Sequence, residues 1–257
     1  MKNQANKVSK VGAALVTGAA KRIGREIVLN LAKMGYDIVI AYNSSEVDAK
    51  NLAQKIKKEF AVRCEIFKCD LQDVKQVKKL ADFTKKQLPH WNLLINNASI
   101  FNKSKFLTAP DSELMNNLNV HFISPLILAK EFAKNVADQK NKNSQIINML
   151  DKNIVRFDTQ YFYYILTKKF LAESTQMLAL ELAPAIRVNG IAPGFILNSV
   201  NEKNFVKETE ILLKKIPLKK QGEVKNILQS IEFLLDNKFI NGQIIFVDGG
   251  ASLNHAG

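Results

Sequence analysis

Seven short apolar runs, each separated from the next by a longer amphipathic stretch, constrain the fold of this chain more than any other feature. The runs are AALVT (13–17), DIVIAY (37–42), CEIFKC (64–69), NLLIN (92–96), QIINML (145–150), IRVNGI (186–191) and QIIFVD (243–248). Most are apolar at consecutive positions, as strands covered on both faces are. Helical periodicity fills residues 22–34, 46–60, 73–87, 112–136, 161–183 and 223–236. Such alternation predicts a parallel sheet, and right-handed crossovers then put helices on both faces. The expected fold is α/β, a single doubly wound parallel sheet of Rossmann type with about seven strands. No Pro/Gly/Ser-rich linker or short repeat divides the chain, so residues 1–257 are expected to form one domain.

One segment breaks the alternation. After IAPG (191–194), residues 195–222 are longer than an ordinary strand–helix connection. At the carboxyl end of a strand, such an insertion reads as a substrate loop or lid. The weak pattern NEKNFVKETEILLKK (201–215) within it suggests a mobile helix.

Composition narrows the function. The polar start MKNQANKVSKVG is unlike a secretory signal, and no apolar stretch approaches the length of a membrane span. Cys64 and Cys69 are five apart on one strand, so they point to opposite faces. Neither a disulfide nor a metal pair is expected, and a reducing, cytoplasmic setting fits. The net charge of +13 would suit nucleic acid if it were clustered. It is instead lysine scattered over solvated helix faces (QKIKKEF, DVKQVKKLADFTKKQ) and a polar loop (ADQKNKNSQ). No nucleic-acid or membrane partner is expected, although the charge would help attract an anionic cofactor or substrate.

The polar motifs gather at strand ends, where parallel sheets bind ligands. TGAAKRIG joins the first strand to the first helix. Gly18 permits a tight turn, Gly24 a close backbone approach, and the helix N-terminus offers free N–H groups to a pyrophosphate. Arg22 stands where such turns often carry glycine. CDL (69–71), NNAS (96–99), NV (119–120), YILTK (164–168) and PG (193–194) follow in order. Tyr164 and Lys168 are four apart and share a helix face. An ammonium beside a phenol would lower the phenol pKa and improve proton exchange near neutrality. Tyr161 and Tyr163 are equally compatible with packing.

In this order and spacing, the motifs resemble those of the short-chain dehydrogenase/reductases from about Val11 to Leu253. The resemblance implies a dinucleotide along Gly18, Ile23, Asn97, Ala98, Ser99, Asn119, Pro193 and Gly194, with Asp70 and Leu71 against adenine. It also implies that Tyr164 exchanges the proton while Lys168 tunes it and bonds the nicotinamide ribose. An NAD enzyme usually carries an acid after the second strand to hold the ribose 2′-OH. Here that strand ends in AYNSS, and Asp37 lies at its other end. Lys21, Arg22, Asn43, Ser44 and Ser45 are donors suited to a 2′-phosphate, so the cofactor expected is NADPH.

The family normally has serine thirteen residues before the tyrosine, and this chain has Asp151. A carboxylate accepts hydrogen bonds and would repel a developing alkoxide, which disfavours ordinary ketone reduction. The plainer alternative is that Asp151 caps the following turn. A carboxylate does suit pterins, whose amino-pyrimidine edge is rich in donors and whose reducible bonds are C=N. TGAAKRIG, NNASIF, INMLD, the Tyr/Lys pair and LELAPAIRVNGIAPG are similar to pteridine reductases and bacterial dihydromonapterin reductases. That resemblance implies that Phe101 stacks on the pterin, that Arg22 lies near both pyrophosphate and pterin, and that Asp151 orients substrate. It further implies a homotetramer; His255 falls near a position where pteridine reductases can reach a neighbouring subunit's site, and reads more simply as a tail histidine. The alternatives are a reductase of another carbonyl substrate, such as a 3-oxoacyl thioester, and a non-catalytic nucleotide-sensing protein.

Overall fold

The computed structural model describes residues 11–137, 143–197 and 213–254. In chain order the elements are β1 (Gly12–Thr17), α1 (Arg22–Lys33), β2 (Tyr36–Tyr42), α2 (Glu46–Glu59), β3 (Cys64–Lys68) and α3 (Val74–Gln87). β4 (Trp91–Asn96), α4 (Asp111–Leu118), α5 (Ser124–Ala137), β5 (Ser144–Met149) and α6 (Phe162–Glu181) follow. The chain continues through β6 (Ile186–Pro193), β7 (Ile196–Leu197), β8 (Gly222–Glu223), α7 (Val224–Asp236) and β9 (Ile244–Val247).

The main sheet has seven strands in the order β3-β2-β1-β4-β5-β6-β9. Every pairing in it is parallel. Alternate residues of one strand enter two different cores, as a strand's two-residue period requires. Ala14 and Val16 pack with Ile27, Leu31, Leu52 and Ile231 of α1, α2 and α7. Ala13 and Leu15 pack with Val77, Leu80, Leu128 and Phe132 of α3 and α5. Cys64 falls in the first core and Cys69 in the second, and both are free and buried. Burial pushes both thiols up to about 12, which leaves them unreactive.

The helix expected over 112–136 is not continuous. Residues Asn119–Ile123 form a π turn between α4 and α5, with the Ser124 N–H bonded to the Asn119 carbonyl. Pro125 lacks the N–H that would bond the carbonyl four residues earlier, so widening the turn accommodates the gap. The 195–222 segment is closed at its base by parallel pairing of β7 with β8. Residues 198–212, including most of the 201–215 helical pattern, and His255 lie outside the described residues.

Strand order reverses between β1 and β4, so their carboxyl ends diverge and open a crevice. Among the described residues no helix is long and apolar enough to cross a membrane. Large apolar side chains nevertheless remain exposed on α6 (Phe170, Met177, Leu180) and around α7 (Phe233, Phe239).

Candidate active site

The crevice is a cleft of about 1350 Å³. That exceeds the roughly 300–1,000 Å³ of single-ligand pockets, leaving room for a dinucleotide and a second molecule together. One end is built on the turn from β1 to α1. Gly18 has φ +61°, and a Cβ there would come within 2.7 Å of Ala98 Cα. A Cβ on Gly24 would meet the Gly18 carbonyl at 2.4 Å. These two glycines therefore let the helix start press against the ends of β1 and β4. Thr17 Oγ1 accepts from the Asn97 and Ala98 N–H groups at 3.0 and 3.1 Å. Asn97 Nδ2 donates back to the Thr17 and Gly18 carbonyls. Asn97 thus pins the cradle, and its amide is spent on the protein.

Arg22 sits in this turn with φ +53°, in the left-handed region that glycine adopts without cost. The guanidinium is exposed on the cleft wall. A non-glycine residue held in this conformation costs about 1–2 kcal/mol, and such strain clusters at functional sites. Ile23, Asn43, Ser44 and Ser45 line the same end, as do Asp70 and Leu71. Ser45 is the N-cap residue of α2, yet its side chain makes no capping bond. Lys21 also lines the cleft but is paired with Asp48 at 3.0 Å, both partners being well exposed. Asp37 is buried at the opposite end of β2, where it accepts from the Arg63 N–H at 2.7 Å. No acid stands at the β2 carboxyl end.

The other end holds Asp151, Tyr164 and Phe101. Asp151 follows β5 and does two things at once. Its Oδ1 accepts from the Asn153 N–H at 2.7 Å, capping the short 3-10 turn Lys152–Val155. Its Oδ2 accepts from the Tyr164 hydroxyl at 2.9 Å. Asp151 thus caps the turn, as the plainer alternative has it, and also bonds Tyr164.

The expected electrostatics of the pair require correction. Tyr164 is buried, and its pKa is pushed well above the ordinary phenol value, by burial first and by the Asp151 carboxylate second. The Lys168 ammonium does not touch the phenol oxygen; it donates to the Met149 carbonyl at 2.7 Å. Burial lowers the Lys168 pKa to about 8. The phenol is therefore held neutral, with its pKa raised where a lowered one was expected.

Phe101 is 57% exposed, so it is no ordinary core phenylalanine. Its ring stacks on Tyr161 at 4.4 Å and 8°, and meets Tyr164 edge-on at 4.8 Å. Ser99, Pro193 and Gly194 also reach the cleft, but Asn119 does not. The π turn instead directs His121 toward the site. His121 Nε2 accepts from the Ile100 N–H at 3.2 Å and lies 3.0 Å from Ser99 Oγ. Its Nδ1 is 3.1 Å from Thr167 Oγ1, and its ring meets Tyr164 edge-on. Burial, with Lys168 nearby, lowers its pKa well below the usual value and keeps it neutral. Sequence reading missed His121 because nothing in its spacing marks a π turn. Lys152, Arg156 and Tyr161 of the cleft wall were missed or left to packing for the same lack of a local signal.

A family described as enoyl-(acyl carrier protein) reductase matches residues 18–252. The chain belongs to the short-chain dehydrogenase/reductase family. Within that family, a 3-oxoacyl-(acyl-carrier-protein) reductase of Staphylococcus epidermidis is 29% identical over 244 residues, covering 92% of this chain and 97% of the relative. A protein of the same name from Buchnera aphidicola is 30% identical over 240 residues, covering 92% and 96%. Among solved structures, FolM alternative dihydrofolate reductase 1 from Brucella canis, complexed with NADP, has a TM-score of 0.87. It is 31% identical, with 96% of both chains covered. A blue fluorescent protein from a metagenomic library, in complex with NADPH, has a TM-score of 0.86 at 27% identity, covering 94% of this chain and 98% of its own.

Proposed function

We propose that this short-chain reductase uses NADPH to reduce a pterin, a dihydropterin or dihydrofolate among its candidates, at a C=N bond. The observation that carries the reading is the Asp151–Tyr164 hydrogen bond of 2.9 Å beside the exposed Phe101 ring. The likeness to an NADP complex of an alternative dihydrofolate reductase supports it.

The glycine cradle fits a pyrophosphate, and the donors at the β2 end fit a 2′-phosphate in place of a 2′-hydroxyl. When bound, the dinucleotide supplies the hydride that reaches the substrate carbon. This chain supplies the rest. Tyr164 holds the proton that the substrate nitrogen needs, directly or through a water. Asp151 keeps that phenol protonated and offers acceptor lone pairs to the donor-rich edge of the ring. Phe101 supports the ring face, and Lys168 orders the end of β5 through the Met149 carbonyl and would bond the cofactor ribose. His121 fixes Ser99 and Ile100, and so the segment that carries Phe101. We also propose that the exposed apolar faces of α6 and α7 are buried in a homotetramer.

The second reading is reduction of a 3-oxoacyl thioester, favoured by the names of the curated relatives. The two separate in one assay. NADPH oxidation is followed with dihydropterins, dihydrofolate and a 3-oxoacyl thioester, for wild type and Asp151→Ser. Serine keeps a capping oxygen and removes the charge. Pterin turnover by wild type that falls about 10- to 10²-fold in Asp151→Ser is expected, from a charged hydrogen bond of about 1.5–3 kcal/mol. Efficient thioester reduction by wild type with no turnover of any pterin overturns the proposal.

A further inference from the structure

Among the charged groups of the cleft that the pterin reading leaves unexplained, Lys152 stands next to Asp151. Lys152 follows Asp151 directly and lines the cleft wall, only partly exposed to solvent. Among the described residues its ammonium makes one hydrogen bond, to the neutral Asn153 amide oxygen at 2.7 Å. Among the described residues it has no ion-pair partner.

The nearby carboxylates are already engaged. Asp151 is shared between the Asn153 N–H and the Tyr164 hydroxyl. Asp158 accepts from the Gln160 N–H at 2.9 Å. Asp248 accepts from the Gly250 and Ser252 N–H groups at 2.9 and 2.5 Å. Arg156 faces Lys152 with a like charge, and donates to the Ala251 and Asn254 carbonyls. Burial lowers the Lys152 pKa despite the three carboxylates around it. A partly desolvated cation without an anion bonded to it is an incomplete arrangement.

The cofactor's own phosphates do not complete it. The donors suited to them lie at the ends of β1 and β2, and Lys152 follows β5, two strands beyond β1 and three beyond β2. At ~4.8 Å per strand that is roughly 10 Å from the pyrophosphate cradle and roughly 14 Å from the 2′-phosphate donors. Lys152 therefore belongs to the end of the cleft that holds Asp151, and lines the same cleft as Phe101 and Tyr161.

We infer that the wall at Lys152 receives an anionic substituent, a carboxylate or a phosphate, carried on the side chain of the flat heterocycle. This rests on the pterin reading above and narrows it, since pterins with uncharged side chains would leave Lys152 unpaired. Lys152 is then a specificity-determining residue that separates substrates by their tails.

The test compares three substrates in wild type, Lys152→Gln and Lys152→Arg, after thermal melts establish that the variants fold. Dihydrobiopterin has an uncharged side chain, dihydrofolate carries carboxylates, and dihydroneopterin monophosphate carries a phosphate. The readout is the ratio of KM for each charged substrate to KM for dihydrobiopterin. Lys152→Gln is expected to raise that ratio about tenfold, the effect of about 1.4 kcal/mol, with arginine restoring most of it. The substrate whose ratio moves identifies carboxylate or phosphate as the natural tail. A ratio unchanged for both charged substrates overturns the inference, even if all three substrates turn over.

Absence of turnover with all three sinks the pterin assignment instead. The Lys152 question is then settled by calorimetry on NADP-saturated protein, titrated with folate and with biopterin. A folate affinity that falls in Lys152→Gln while biopterin affinity holds supports the anionic wall. Equal changes, or no binding of either probe, overturn it.

Discussion

Arg22→Gly separates strain from function at the start of α1. Arg22 holds φ +53°, which costs about 1–2 kcal/mol for a residue with a Cβ. Glycine removes that cost but gives the unfolded chain more freedom, worth about 0.4–1 kcal/mol in the opposite direction. The net expectation is a change between zero and about 1.5 kcal/mol in favour of the folded state. For a chain of this size that is a rise in Tm of up to about 5 °C. Glycine at an ordinary helical position would instead destabilise by about 1 kcal/mol. The guanidinium is exposed, so screening holds its contribution to a bound phosphate to about 1–1.5 kcal/mol. NADPH affinity should therefore fall about five- to tenfold in the same variant. Arg22→Ala is the control, because it loses the charge and keeps the left-handed backbone. Its affinity should fall as far without the gain in stability. Urea denaturation and NADPH fluorescence titration give the two numbers independently. A loss of more than about 1 kcal/mol in Arg22→Gly, or unchanged NADPH affinity in both variants, refutes the claim that strain here is kept for cofactor binding.

Three further outcomes follow from the site. Tyr164→Phe should lower kcat about 10²–10⁴-fold while NADPH binding, read by fluorescence, is largely retained; near-normal turnover would move the proton donor to another group. Ser45→Asp should shift preference from NADPH toward NADH, since its side chain is not engaged as a cap and a carboxylate there would face the 2′-phosphate. The ratio of kcat/KM for the two cofactors measures this. Lys168, with its pKa near 8, is charged below that pH and neutral above it, so kcat should fall as pH rises through about 8. His121 stays neutral throughout and should add no limb near 6.5. Lys168→Arg should remove the alkaline limb, because a guanidinium keeps its charge.

The layered fold was legible in the sequence because it follows from periodicity, a local property. Continuous apolar runs such as AALVT and DIVIAY can be buried only if both faces are covered, and the structure covers both. Strand-end placement of Gly18, Asp70, Ser99 and Asp151 was readable for the same reason, since chain order dictates which turns share an edge of the sheet. The absence of an acid after β2, and the location of Asp37 at its far end, also came from the sequence alone.

What only the tertiary structure decided concerns contacts between residues distant along the chain. The Tyr164 pKa depends on burial and on Asp151, and these reverse the direction that helix spacing with Lys168 suggested. Lys168 turns to the Met149 carbonyl because the end of β5, nineteen residues earlier, packs beside it. His121 reaches Ser99 because Pro125 widens the helix, which moves the side chains of a whole turn while leaving the hydrophobic pattern intact. Phe101 faces Tyr161 across sixty residues of sequence, and among the described residues Lys152 has no bonded anion because the carboxylates around it are bonded to other partners. Periodicity reports which face of an element is buried. It carries no information on what each polar group meets there, and that depends on the packing of the whole chain.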